Sequence, residues 1–338
     1  MFNYGTDMEQ HILQMDSWLA SSPAKAKHIL KPLLGLHYGD PEVDQAWQDA
    51  RKVVGSGIHL LILGETGVGK GEFVKALHNY SRLSHKPLVM VNCAALPNDL
   101  IESELFGYAP GSFTGANPKG YSGRIRQADK GILFLDEIGD MSLQAQCRLL
   151  SLLQDKIVMP LGSTRSYNVD IEVISATNQN LQQLIAEGRF RQDLYYRLNG
   201  LTVRLPTLKQ RKDKAQLIES IHAQYRKQVQ KISKPVMERL MAYLWPGNIR
   251  ELDNFIKVAA LMADDSAEIE FKHLPQQWQQ SLQSVSLVRE SPSTDLNTTL
   301  NETVLDVYKS NQGNISKVAR ELGVSRNTVY RKLRALGY

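Results

Sequence analysis

Between Leu60 and Pro206 the chain alternates short apolar runs with polar stretches of helical spacing. The pattern predicts strands at His59–Leu63, Leu88–Asn92, Gly131–Leu135, Ile171–Ala176 and Leu201–Leu205. Helices are predicted between them at Gly69–Ser81, Leu100–Phe106, Ser142–Gln154 and Leu181–Gly188. Alternation of this kind implies an α/β core, a mostly parallel sheet covered on both faces. From Lys212 to about Met262 the strand-like runs stop. Apolar residues then recur at helical spacing, as in Leu217 and Ile221, then Val236, Leu240 and Leu244, with Pro246-Gly247 as a break. A small helical second domain is expected there. Residues 276–297 are rich in Gln and Ser without a sustained period and read as a flexible linker. Three helical stretches follow, marked by Leu300, Val304, Val307 and Tyr308, by Ile315, Val318, Ala319 and Leu322, and by Val329, Leu333 and Leu336. Gly323 supplies the turn before the third, and Ser325 is its N-cap. The first 35 residues look helical around Met8–Leu19 but carry no recognisable chemistry.

At 338 residues and 42% hydrophobic content the chain can build two or three cores, which excludes a disordered or fibrous protein. Cys93 and Cys147 are too few for a disulfide framework, and neither lies in a metal-binding spacing. The eight histidines are scattered without ligand spacing, so none is assigned to a metal. The longest apolar runs, Leu60–Leu63 and Ile132–Leu135, fall far short of the ~18 residues that span a bilayer. With Asp7, Glu9 and Asp16 in the first 30 residues, a secretory signal is not expected, and a reducing cytosol is the anticipated setting without membrane association.

Chemistry concentrates first at Gly64-Glu65-Thr66-Gly67-Val68-Gly69-Lys70, which follows an apolar strand and opens a helix. Glycines there let backbone N–H groups face a phosphate, the helix N-terminus adds its dipole, and Lys70 reaches the β/γ oxygens of a nucleotide such as ATP. Gly71 stands where a Ser or Thr would ligate Mg²⁺, so the metal must be held by phosphate oxygens, water and acidic groups from elsewhere. Asp136 and Glu137, at the end of the Gly131–Leu135 strand, are those groups. Asp136 would position Mg²⁺ and Glu137 would polarise an attacking water, which favours hydrolysis over simple binding.

The order of motifs resembles the bacterial enhancer-binding proteins, the AAA+ activators of sigma-54 RNA polymerase. The likeness rests on Gly64–Lys70, on Gly111-Ser112-Phe113-Thr114-Gly115-Ala116, on Asp136-Glu137, on Arg191 and Arg197 in FRQDLYYRL, and on WPGNIREL at Trp245–Leu252. It runs from about Gly35 to Leu274, and LFGYAPGSFTGA is similar to the activators of acetoin and dihydroxyacetone catabolism. The resemblance implies an AAA+ core at 35–207 and a helical lid at 208–275, followed by a linker to 297 and a DNA-binding domain at 298–338. Residues 1–34 are expected to be an N-terminal segment, either the remnant of a sensory region of roughly 100 residues in a longer regulator or the start of a chain controlled by another protein. In such proteins the 111–116 loop carries its Phe and Thr to the sigma factor. Ser112 departs by one hydroxyl from the usual GAFTGA. The resemblance further implies that Arg191 and Arg197 act as arginine fingers across a ring that assembles from dimers to a hexamer. It makes Arg250 the sensor II arginine, Asn178 sensor I, and Asn92 a switch that can hold Glu137 away from water. Two further departures are Gly71, where the family commonly has Glu, and Leu205-Pro206-Thr207-Leu208-Lys209-Gln210-Arg211 at the hinge.

The segment Asn314–Leu333 resembles the helix-turn-helix of the Fis family. From Asn301 to Tyr338 seven basic side chains face three acidic ones, a net +4 in a chain whose whole excess is +5. Charge is therefore concentrated where a double-stranded DNA backbone would be met. With Val329, Leu333 and Leu336 turned inward, Ser325, Arg326, Asn327, Thr328, Tyr330 and Arg331 are the candidate DNA contacts at the start of a recognition helix.

The expected function is a transcription activator that binds upstream DNA, assembles as a ring and uses ATP hydrolysis to remodel closed sigma-54 RNA polymerase complexes. The competing expectation, supported by Gly71, is a DNA-binding regulator in which ATP only controls oligomeric state.

Overall fold

The computed structural model describes residues 39–95, 97–113, 117–226, 230–264, 266–283, 308 and 315–321. The chain divides after Leu282 into two units. The first unit opens with helix α1 (Pro41–Val53), whose start is fixed by Asp40: its carboxylate accepts from the backbone N–H of Glu42 and Val43, and Pro41 occupies the first turn. The core continues as β1 (Leu60–Leu63), α2 (Lys70–Tyr80), β2 (Leu88–Asn92), α3 (Asn98–Phe106), β3 (Ile132–Asp136) and α4 (Leu143–Asp155). It closes with β4 (Glu172–Thr177), α5 (Leu181–Ala186), α6 (Gln192–Leu198) and β5 (Leu201–Arg204).

These five strands form one parallel sheet in the order β2-β3-β4-β1-β5. Successive side chains on a strand point to opposite faces, and both faces are buried. Leu61, Leu133, Leu135 and Val173 pack with Ile101, Leu149 and Leu194 on one side. Leu60, Ile62, Ile132, Phe134 and Ile174 pack with Trp47, Phe73 and Leu77 on the other. Double burial explains why the strands read as apolar runs, and each expected strand begins or ends within a residue of its observed limits.

A second core lies in the lid, built from α7 (Lys214–Tyr225), α8 (Lys234–Ala242), α9 (Asn248–Ala263) and α10 (Gln276–Gln283). Leu217, Ile221, Val236, Leu240, Trp245, Leu252 and Phe255 fill it. Two expectations need correction. Leu244 falls outside α8 and is 63% exposed, because the helix stops at Ala242 before the Trp245 turn. The flexible linker expected over residues 276–297 does not hold for its first eight residues, because Gln276–Gln283 is helical and Trp278 stacks edge-on against Phe255 at 4.9 Å, with Leu282 fully buried. A Gln-rich surface hid one aromatic anchor.

In the second unit, α11 (Ile315–Glu321) buries Val318 and Ala319, two of the positions expected to face inward. The candidate DNA contacts Ser325, Arg326, Asn327, Thr328, Tyr330 and Arg331 lie outside the described residues, as do the stretch at Met8–Leu19 and residues 284–297. Among the described residues no helix is long and apolar enough to cross a membrane.

Candidate functional site

The Gly64–Lys70 loop connects β1 to α2. Gly67 and Gly69 adopt left-handed backbone at φ +83° and +98°, a region that glycine enters at no steric cost. At Gly67 a second constraint applies, since a Cβ would stand 2.3 Å from the carbonyl oxygen of Gly247 in the lid. No side chain caps the N-terminus of α2 at Gly69, so its first amides are served by no capping oxygen. That is the arrangement that accepts an anion at a helix N-terminus. Lys70, almost wholly buried, donates from Nζ to the carbonyls of Gly64 (3.0 Å) and Glu65 (3.4 Å) and to Glu137 Oε1 at 3.2 Å. Gly71 is a glycine without steric cause: a Cβ there would meet only Met90 Cε, at 3.4 Å.

Asp136 ends β3, and Glu137 follows it in left-handed backbone at φ +52°. This turn brings both carboxylates to the loop. Glu137 Oε2 accepts the Asn178 backbone N–H at 3.1 Å, while Asn178 Nδ2 donates to Thr66 Oγ1 at 2.9 Å, so Asn178 spans from the acid to the phosphate loop. Burial pushes the Asp136 carboxyl above its ordinary range, with Lys70 pulling it down and Glu137 pushing it up again. A raised carboxyl beside a second acid is suited to a cation that supplies the missing positive charge. Among the described residues no three His, Cys, Asp or Glu side chains group to hold a metal by themselves. Asp136 and Glu137, two carboxylate oxygen donors on the cleft lining, fit a Mg²⁺ ion whose remaining ligands are phosphate and water.

The loop, the acids and the lid enclose a cleft of about 430 Å³. Its lining includes Thr66, Lys70, Asp136, Glu137 and Arg250 together with Leu217, Ile221 and Ile249. A lining that combines charged and apolar side chains suits a molecule with a phosphate tail and a flat ring system. Arg250 is fixed beside the loop by its own N–H, which donates to Gly67 O at 3.2 Å.

Other expected residues lie elsewhere. Asn92 is not joined to Glu137: its Oδ1 accepts from the backbone N–H of Ala94 (2.9 Å) and Ala95 (3.1 Å), and Glu137 is occupied by Lys70 and Asn178. Arg191 and Arg197 do not line this chain's own cleft. Arg191 forks onto both oxygens of Asp193, at 3.0 and 2.6 Å, and approaches Cys147 Sγ at 3.1 Å. Arg197 donates to Leu153 O at 2.9 Å. In the Gly111–Ala116 loop, Gly111 has φ +72°. Phe113 is 44% exposed and leans edge-on against Tyr108 with 5.0 Å between ring centroids. The Ser112 hydroxyl has one proton and two carbonyl acceptors, Ala109 O at 2.5 Å and Leu161 O at 2.9 Å, which tie the loop base to the 161 turn. Thr114, Gly115 and Ala116 lie outside the described residues.

Residues 36–204 match the sigma-54 interaction domain, residues 211–290 the AAA+ ATPase lid domain, and residues 305–336 the Fis family of bacterial regulatory proteins. The chain belongs to the sigma-54 interaction family of AAA+ proteins. Within this family it is 42% identical over 316 residues to the acetoin catabolism regulatory protein of Cupriavidus necator, covering 90% of this chain and 47% of that one. It is 37% identical over 308 residues to the alginate biosynthesis transcriptional regulatory protein AlgB of Pseudomonas aeruginosa, covering 90% of this chain and 68% of that one. The chain thus spans about half to two thirds of the length of these relatives. A crystal structure of NtrX from Brucella abortus in complex with ATP superposes with a TM-score of 0.67 at 29% identity, covering 98% of this chain and 75% of that chain.

Two ties between the core and the lid side of the chain are not evident from the residue pattern. Asn248, inside WPGNIREL, bonds the phosphate loop and the hinge at once. Asp40 accepts the Lys212 N–H at 2.8 Å while capping α1. The signal for Asp40 was available in the Asp-Pro helix start. For Asn248 it was masked by the neighbouring arginine, which alone has an evident charge role.

Proposed function

We propose that this chain is a sigma-54-dependent transcription activator of the bacterial cytoplasm. It binds double-stranded upstream DNA through 298–338, assembles into a ring, and couples ATP hydrolysis in the 35–207 core and its lid to remodelling of the closed polymerase complex. The observation that carries this reading is the joining of Lys70, Glu137 and Asn178 at the phosphate loop of a domain that also presents Phe113 to solvent. A nucleotide site and an exposed aromatic on one rigid core are what mechanical coupling needs.

Lys70 binds and orients the phosphate tail, and the free amides of α2 complete the cradle. Glu137 orients and polarises the attacking water, with Asn178 holding the carboxylate in place. Asp136 would hold Mg²⁺, which when bound supplies neutralisation of the phosphate charge. Arg250 senses the nucleotide from the lid. Arg191 and Arg197, absent from their own chain's cleft, reach a neighbouring subunit's phosphates once released from Asp193 and Leu153. Phe113 and Thr114 engage the sigma factor. Within the tail, Ser325, Arg326, Asn327, Thr328, Tyr330 and Arg331 meet the DNA.

One observation favours a second reading. Gly71 leaves room for a side chain yet supplies no hydroxyl or carboxylate beside Lys70, as in a regulator where ATP controls assembly without productive turnover. Measuring phosphate release by the full chain, and then promoter opening with sigma-54 polymerase, separates the two. Release with opening supports the activator, and tight ATP binding without release supports the alternative.

A further inference from the structure

Asn248 opens α9 from a tight turn, with its side chain buried to 1% exposure and its backbone left-handed at φ +54°. Asn is among the few residues other than glycine that enter this region readily. Both amide protons and the amide oxygen are engaged. Oδ1 accepts the Leu208 N–H at 2.8 Å, and Nδ2 donates to Thr66 O and to Glu65 Oε2, each at 3.1 Å. Leu208 belongs to the connection between β5 and α7, the hinge that carries the lid. Glu65 and Thr66 belong to the phosphate loop. One side chain therefore joins three segments that are far apart in sequence.

Two neighbouring features make the junction tight. The Arg250 N–H bonds Gly67 O, and the Gly247 carbonyl leaves no room for a Cβ at Gly67. On its other side the hinge is held at the Lys212 N–H by Asp40. The phosphate loop cannot shift relative to the hinge without breaking the Asn248 amide contacts.

We infer that Asn248 is a positioning residue for nucleotide binding, relaying occupancy of the phosphate loop at Glu65-Thr66 to the lid hinge at Leu208. The inference rests on the cleft being a nucleotide site. Asn248 touches no reacting atom; it transmits through the loop and the hinge. Glycine at 248 would keep the left-handed backbone and delete the bridge. Aspartate would keep the acceptor for Leu208 but set a carboxylate against Glu65 and the Thr66 carbonyl.

The test uses the full chain, a fluorescent ADP analogue, and hydrogen exchange of residues 205–212 with and without ADP. In the parent, ADP should slow exchange of the hinge. In Asn248→Gly and Asn248→Asp the ADP Kd should rise about tenfold or more, the scale of one or two lost buried hydrogen bonds, and ADP should no longer slow the hinge. Adding Glu65→Gln to Asn248→Asp should recover part of the affinity, since the new amide can donate to the new carboxylate. A general folding defect would not be rescued in this way. If the parent binds ADP without any change at the hinge, or if both single variants keep parental affinity and hinge protection, the inference is overturned while the nucleotide reading stands. If the parent binds no ADP, the nucleotide reading fails and the inference fails with it.

Discussion

Lys70 Nζ lies 3.2 Å from Glu137 Oε1, and both side chains are largely withdrawn from water. The same ammonium is therefore placed for the phosphate tail and for the carboxylate proposed to activate water. A phosphate that recruits Lys70 would compete with Glu137 for its charge, so binding would loosen the acid at the point where it must turn to a water molecule.

Lys70→Ala should abolish nucleotide binding, and it should also destabilise the fold by about 1–3 kcal/mol, because Glu137 and Asp136 lose their buried counter-charge. Glu137→Gln should retain binding, since the amide can still accept from Asn178, and should lower kcat by roughly 10²–10⁴-fold. Isothermal titration and phosphate release measure both. Equal turnover in Glu137→Gln and the parent would remove the assigned role.

The bidentate Arg191–Asp193 pair and the Arg197–Leu153 contact keep both arginines on their own subunit's surface. If they serve a neighbour, then mixing Arg197→Ala protein with Glu137→Gln protein should restore part of the hydrolysis, because some interfaces pair an intact acid with an intact arginine. Undiminished hydrolysis by a sample that light scattering shows to be monomeric would contradict the arrangement.

Glu172 begins β4, where one carboxylate oxygen accepts the Gly55 N–H at 2.6 Å and the other has no partner among the described residues. Burial pushes its carboxyl above the ordinary 4.5, against the opposing pull of the Gly55 and Gly57 amides and of Arg82. The folded state thus holds this proton more tightly than the unfolded chain. Its contribution to stability is fully present below pH 4.5 and is lost as pH rises through the raised folded value. Glu172→Gln keeps an acceptor for Gly55 and removes the titration. Urea unfolding should show the parent losing stability relative to this variant as pH rises through that window. Parallel pH profiles would contradict the assignment.

The strands were legible because each is buried on both faces and so appears as an apolar run with little ambiguity. The phosphate loop and the acid pair were legible because their chemistry is local in sequence. Contacts between distant segments were not. Nothing in a pattern of residue types indicates that Asn248 bridges Leu208 and Thr66, or that Glu137 is held by Lys70 and Asn178 and not by Asn92. Trp278 was hidden for a related reason: a single aromatic in a Gln-rich run has no periodicity, yet it completes the lid core against Trp245 and Phe255.

Phe113 is the residue proposed to couple ATP hydrolysis to sigma-54 polymerase. The residue is 44% exposed, its ring leans against Tyr108, and it does not line the nucleotide cleft, so its removal should leave that cleft intact. Burial of that ring against a partner contributes ~1.5–3 kcal/mol. The direct measurement is promoter opening by sigma-54 polymerase, followed by permanganate footprinting alongside phosphate release, for the parent and for Phe113→Ala. Phe113→Ala should show near-parental phosphate release and DNA binding with loss of the open complex. Normal opening by Phe113→Ala would contradict it.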